Sequence, residues 1–143
     1  MYLSSVSYKT YSSSIGRNIQ HICIVVKYRN EAFLDSSIRN CCENSFEKTA
    51  SEYGMQFHAI GFDKDHVHMT VDIGNKLSVA DAVRLLKGRS AHDIFTKFPY
   101  LKQWHPTEPR FWGGNFWSPA YFFDSVGMNT FENVQDYVHS QPY

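Results

Sequence analysis

The sequence predicts an α+β fold, a ferredoxin-like antiparallel sheet in the order β-α-β-β-α-β, with both helices on one face. Three observations carry that expectation. Residues 66–73 alternate strictly, with Val67, Met69, Val71 and Ile73 on one side and His66, His68, Thr70 and Asp72 on the other, the period-two mark of a strand buried on one face. Two long segments of helical periodicity interrupt four strand-like runs, which is the split βαβ pattern. A capped segment then follows the last strand and adds a terminal helix.

The elements follow in order. Residues 1–18 are Ser-rich and read as an extended lead-in. Gln20 to Tyr28 is apolar and rich in β-branched residues, as a central strand should be. Ala32 to Tyr53 has no Gly or Pro, and Phe33, Leu34, Ile38, Cys41, Cys42 and Phe46 fall near helical spacing before Gly54 stops the helix. Met55 to Phe62 forms a second strand, turning through Asp63-Lys64-Asp65 into the His66 strand. Ser78 caps a second helix whose buried stripe is Val79, Ala82, Val83, Leu85 and Leu86. Lys87-Gly88-Arg89-Ser90 is expected to loosen this helix before it resumes towards Phe98, where Pro99 ends it. Residues 100–115 read as a loop. Phe116 to Val126 is a fourth strand, interrupted near Pro119, so an edge or a bulge is expected. Asn129-Thr130-Phe131-Glu132 opens the terminal helix, residues 129–141.

At 143 residues the chain reads as one domain, residues 1–143, with room for a full core. Formal net charge is zero, which argues against nucleic-acid binding as a bulk property. The charge is nevertheless uneven. Residues 31–53 hold five acids against Arg39 and Lys48, whereas residues 76–105 hold six Lys and Arg against Asp81 and Asp93. A neutral chain can thus present a basic face. The three cysteines, Cys23, Cys41 and Cys42, fit no zinc spacing and read as reduced thiols of a cytoplasmic protein. No apolar run is long enough to span a membrane.

His66 and His68 project from the same face of their strand, with Cβ atoms roughly 7 Å apart, close enough to share a metal ion. The same pattern equally suits two histidines on the wetter face of a sheet. On the terminal helix Tyr137 and Gln141 lie one turn apart, with Tyr137 beside the stripe of Phe131, Val134 and Val138. A tyrosine there serves either as a packing residue or as a nucleophile towards a metal-polarised target.

The motifs taken together narrow these choices. Asp65-His66-Val67-His68 fits a His-hydrophobic-His motif. It is followed by Leu86-Lys87-Gly88-Arg89-Ser90, by Trp112-Gly113-Gly114-Asn115-Phe116-Trp117-Ser118-Pro119, and by Val134-Gln135-Asp136-Tyr137-Val138-His139-Ser140-Gln141. In this order and spacing the chain, from about His21 to Gln141, resembles the single-tyrosine HUH transposases of bacterial and archaeal insertion sequences, which mobilise single-stranded DNA.

The resemblance implies that His66 and His68 are metal ligands, that Gln141 completes the site for Mg²⁺ or Mn²⁺, and that Tyr137 is the nucleophile. It implies cleavage and rejoining of single-stranded DNA with hairpin ends through a 5′-phosphotyrosine. It also implies a homodimer in which the tyrosine helix of one subunit completes the histidine site of the other, and pairing of the apolar first strand with its symmetry mate would suit such a dimer. Lys27, Arg29, Lys87 and Arg89 are the candidate phosphate contacts, and Trp112, Trp117 and Tyr121 serve either to stack on bases or to fill the core. The alternatives are a domesticated nuclease that processes dispersed palindromic repeats and a non-catalytic hairpin-binding descendant.

Overall fold

The computed structural model describes residues 8–11, 13–103 and 114–126. Its main sheet has four strands: β1 (Ile19–Val26), β2 (Gln56–Phe62), β3 (His66–Asp72) and β4 (Trp117–Ser125). Their spatial order is β2-β3-β1-β4, every neighbour antiparallel. Two helices, α1 (Ser36–Tyr53) and α2 (Val79–Lys97), supply the crossovers, so the predicted ferredoxin-like order holds. The expected terminal helix, with Tyr137 and Gln141, lies outside the described residues, as do Trp104 and Trp112. Part of the lead-in is more ordered than expected: Lys9–Thr10 pairs with Ile15–Gly16 as a small ribbon.

Alternation places the core. Val67, Met69 and Val71 on β3, with Ile22, Ile24 and Val26 on β1, are buried against Ile38, Cys42 and Phe46 of α1 and Leu86 and Ile94 of α2. All eight residues of β1 are buried, and both of its edges are taken, by β3 and by β4. This corrects one expectation. A strand hydrogen-bonded on both sides has no edge to offer a symmetry mate, so β1 cannot pair across a dimer axis.

Local signals act largely as read, with two differences. The helix expected from Ala32 is split. Ala32–Leu34 is a separate 3₁₀ turn, because the Asp35 carboxylate accepts from Ser37 N–H at 2.8 Å and restarts the chain as an N-cap. Gly54 ends α1 in the left-handed conformation at φ 74°, which a residue with a side chain adopts reluctantly.

The second difference is that α2 is unbroken through Lys87-Gly88-Arg89-Ser90. Three tertiary ties outweigh the roughly 1 kcal/mol preference against a helical glycine. Trp117 Nε1 donates to Ser90 Oγ at 2.9 Å, Lys87 Nζ donates to Ser118 O at 2.7 Å, and Arg89 pairs with Glu52 at 2.6 Å. The motif thus binds α2 to β4 on one side and to α1 on the other. Ser90→Ala should leave the buried indole N–H without its acceptor and cost about 1–3 kcal/mol, read as a lower midpoint in thermal unfolding. Ser78 caps α2 as expected, in a reciprocal capping box with Asp81. Opposite Ile24 and Val26, the register of β4 shifts between Tyr121 and Trp117, at Pro119, the expected bulge in an edge strand.

Candidate active site

His66 and His68 lie on the face of β3 turned away from α1 and α2. At its β1 and β3 strands that face is closed. His66 is 5% exposed, Cys23 1%, His21 2% and Thr70 0%. Phe122 of β4 packs on Cys23 and Val25, and His21 Nδ1 meets Thr70 Oγ1 at 3.1 Å. A histidine on a merely wetted surface would not be buried as His66 is, while His68 is half-buried.

The turn before β3 is fixed from outside. Val26 N–H donates to Asp65 O at 2.9 Å and Phe33 N–H to Lys64 O at 3.0 Å, while Asp63 N–H closes the turn on His66 O at 2.8 Å. The end of β1 and the 3₁₀ turn therefore hold the backbone that presents His66.

The carboxylates of the turn bracket His66. Asp65 Oδ1 lies 2.9 Å from His66 Nδ1, and Asp63 Oδ2 lies 3.1 Å from Nε2. Asp65 Oδ2 accepts from Arg29 Nε at 2.9 Å. Burial alone would raise the Asp65 carboxyl, but the bonds from His66 and Arg29, with the Arg29 charge, outweigh it and hold the group below its ordinary value. Arg29 reaches Asp65 from two successive residues with positive φ, Tyr28 at 60° and Arg29 at 51°, conformations that persist only where surrounding contacts impose them.

A carboxylate on Nδ1 sets the tautomer of His66, the usual support for a metal-binding imidazole, and a ligand at Nε2 would take the place that Asp63 Oδ2 holds at 3.1 Å. The rings of His66 and His68 are centred 6.2 Å apart and inclined by 47°. With nitrogen–metal bonds of roughly 2.1 Å, such rings can meet at one ion. Among the described residues no group of three His, Cys, Asp or Glu is placed to hold a metal, so this pair needs a further donor. Cys23, opposite His68 in register, is no ready thiolate: burial pushes its thiol up to about 12, with Arg29 opposing in part.

An open cleft of about 500 Å³ adjoins His66; Arg29, Arg39 and Lys64 line it together with Asp63, Asp65, Phe33 and Phe62, and Lys64 pairs with Glu31 at 3.0 Å. The sequence had not singled out Arg39 and Lys64. The four cations it did single out are dispersed. Lys27 lies at the end of β1, its Nζ 5.1 Å from the Tyr28 ring centre. Arg29 is committed to Asp65, while Lys87 and Arg89 reach opposite sides of α2, towards β4 and α1. Of the aromatics, Trp117 is 5% exposed and part of the core, and Tyr121 packs beside it.

The family model for IS200-like transposases matches residues 15–141. The chain belongs to the IS200-like transposase family. The ISDra2 transposase TnpA of Deinococcus radiodurans is 30% identical over 121 residues, 85% of this chain and 81% of that protein. The transposase for insertion sequence element IS200 of Salmonella typhimurium is also 30% identical over 121 residues, 85% of this chain and 74% of its own length. A protein from Deinococcus radiodurans R1, solved as a candidate transposase, superimposes with a TM-score of 0.76 at 28% identity, over 93% of this chain and 97% of that one. A REP-associated tyrosine transposase bound to a REP hairpin shares the fold alone, with a TM-score of 0.56 at 15% identity, over 92% of this chain and 67% of that one. No helix among the described residues is long and apolar enough to cross a membrane.

Proposed function

We propose that this transposase cuts and rejoins single-stranded DNA at the hairpin ends of an insertion sequence, in the cytoplasm, through a 5′-phosphotyrosine on Tyr137. The observation that carries this reading is a buried His66, oriented by Asp65 and facing His68 beside an open cleft lined by charged residues of both signs, in a chain of this family.

Nε2 of His66 and a ring nitrogen of His68 would hold a Mg²⁺ or Mn²⁺ ion, with the amide oxygen of Gln141 as third protein donor. Nitrogen and amide donors with open positions suit such a labile divalent ion. When bound, the ion supplies charge withdrawal at the scissile phosphate.

The remaining steps belong to the chain. Arg39, and Lys64 beside its partner Glu31, attract the DNA backbone to the cleft, while Arg29 holds Asp65. Tyr137 Oη attacks phosphorus in line and gives up its proton, and a phosphotyrosine bond forms. The bond to the 3′ oxygen breaks, and that oxygen takes a proton and leaves as a 3′-OH. No water is consumed, so one phosphodiester is exchanged for another, and a 3′-OH from a second strand can reverse the step and join DNA. The active form is a homodimer in which the Tyr137 segment of one subunit serves the histidines of the other.

A cleavage assay tests the reading. Purified protein is mixed with labelled single-stranded hairpin DNA from the element ends, with Mn²⁺ or EDTA, and run on a denaturing gel. A metal-dependent covalent adduct is expected. Tight hairpin binding with no adduct would sink the enzymatic reading in favour of a binding protein.

Asp65→Asn probes the support of His66. The amide still accepts from Nδ1–H but loses the charge that engages Arg29, so cleavage should fall about 10–100-fold with hairpin affinity unchanged. The variant should also alter acid stability. A carboxyl held low in the folded state contributes stability that is complete above its unfolded pKa and is lost as pH falls through the folded value. Asp65→Asn removes that contribution, so unfolding titrated below the ordinary carboxylate range should show a shallower acid dependence than in the wild type.

A further inference from the structure

β2 runs beside the second histidine with a residue that has no side chain. Gly61 and His68 are register partners across β2 and β3. A Cβ added at Gly61 would lie 2.1 Å from Cε1, 2.5 Å from Nε2 and 3.0 Å from Nδ1 of His68. The imidazole therefore occupies the space that a side chain at 61 would fill. Backbone geometry does not demand this glycine, because among the described residues the glycines with positive φ are Gly54, Gly74 and Gly114. Glycine inside a strand costs roughly 0.5–1 kcal/mol relative to alanine, and its presence there marks a close approach. On the opposite flank His68 faces Cys23, which is 1% exposed, so the ring has little room to move that way.

We propose that Gly61 is a positioning residue for the metal site: its missing side chain lets the His68 imidazole lie against β2, where a ring nitrogen can share an ion with His66. The inference rests on the reading of His66 and His68 as ligands. A methyl group at 61 would turn the ring out of its place, and metal–ligand distances tolerate only about 0.2 Å of error. Alanine suits the strand backbone, so the chain should still fold.

Two measurements test this, neither of them activity. The first is Mn²⁺ affinity of the full chain without DNA, by electron paramagnetic resonance, for wild type, His68→Ala and Gly61→Ala. Wild type should bind, His68→Ala should lose binding, and Gly61→Ala should bind at least tenfold more weakly. Wild-type affinity in Gly61→Ala, with binding lost in His68→Ala, overturns the inference alone. Failure of the wild type to bind, or binding indifferent to His68, overturns the ligand reading and this inference with it.

The second is thermal unfolding of Gly61→Ala in wild-type and His68→Ala backgrounds, a double-mutant cycle. The methyl group should be harmful only where the imidazole is present. If Gly61→Ala folds only in the His68→Ala background, the clash is established. If it unfolds the chain in both, the glycine serves something other than His68 and the proposal falls.

Discussion

Tyr137→Phe should yield no covalent protein–DNA adduct at any metal concentration while retaining the wild-type affinity for hairpin DNA. The substitution removes one oxygen. A phenyl ring packs as the phenol ring does, so a fold that used Tyr137 only for packing would lose little, and adducts would persist through another nucleophile. If Tyr137 Oη is the attacking atom, the loss is complete, because a phosphotyrosine cannot form without it. A ring that only packs tolerates this change within about 1 kcal/mol, whereas a lost nucleophile removes the reaction. The denaturing gel reads the adduct and a mobility shift reads binding. An adduct surviving in the variant would move the chemistry to another residue and end the assignment of Tyr137. Loss of both adduct and binding would mean that Tyr137 holds DNA or the fold.

Much of the fold was legible because its signals are local. Alternation along Val67, Met69 and Val71 named the core face of β3, Ser78 and Gly54 mark helix ends by backbone chemistry that neighbours cannot change, and Pro119 marks the bulged edge strand. What escaped depends on residues that meet only in space. Periodicity says which face His66 occupies but not whether that face is wet, so its burial could not be read. Arg29 looked like a free cation because its partner, Asp65, is 36 residues away. Lys87-Gly88-Arg89-Ser90 looked like a weak point because propensity counts the glycine and not the bonds to Ser118, Glu52 and Trp117. The apolar β1 looked like an interface because apolarity does not tell a strand flanked on both edges from one waiting for a partner. Gly61 carried no signal until the ring beside it was placed.

His66→Ala should abolish cleavage as fully as EDTA does, and should also leave hairpin binding in place. Removing the imidazole deletes the donor that Asp65 orients and strands a carboxylate beside Arg29 alone. One remaining imidazole, from His68, is a poor site for a hard divalent ion. Asp65→Asn, which keeps the imidazole and weakens only its support, should sit between wild type and His66→Ala. An equal loss in Asp65→Asn and His66→Ala would mean that Asp65 acts directly at the reacting phosphate.

The same variant decides how the site is assembled. His66→Ala and Tyr137→Phe are each inert alone but carry complementary intact parts. If the tyrosine of one subunit serves the histidines of its partner, a mixed dimer holds one site with both parts intact, and mixing the two inactive proteins should restore adduct on the His66→Ala chain, identified by a size tag. If each subunit uses its own tyrosine, every site in the mixture lacks one part. The mixture then stays inert, and the shared-site homodimer is ruled out.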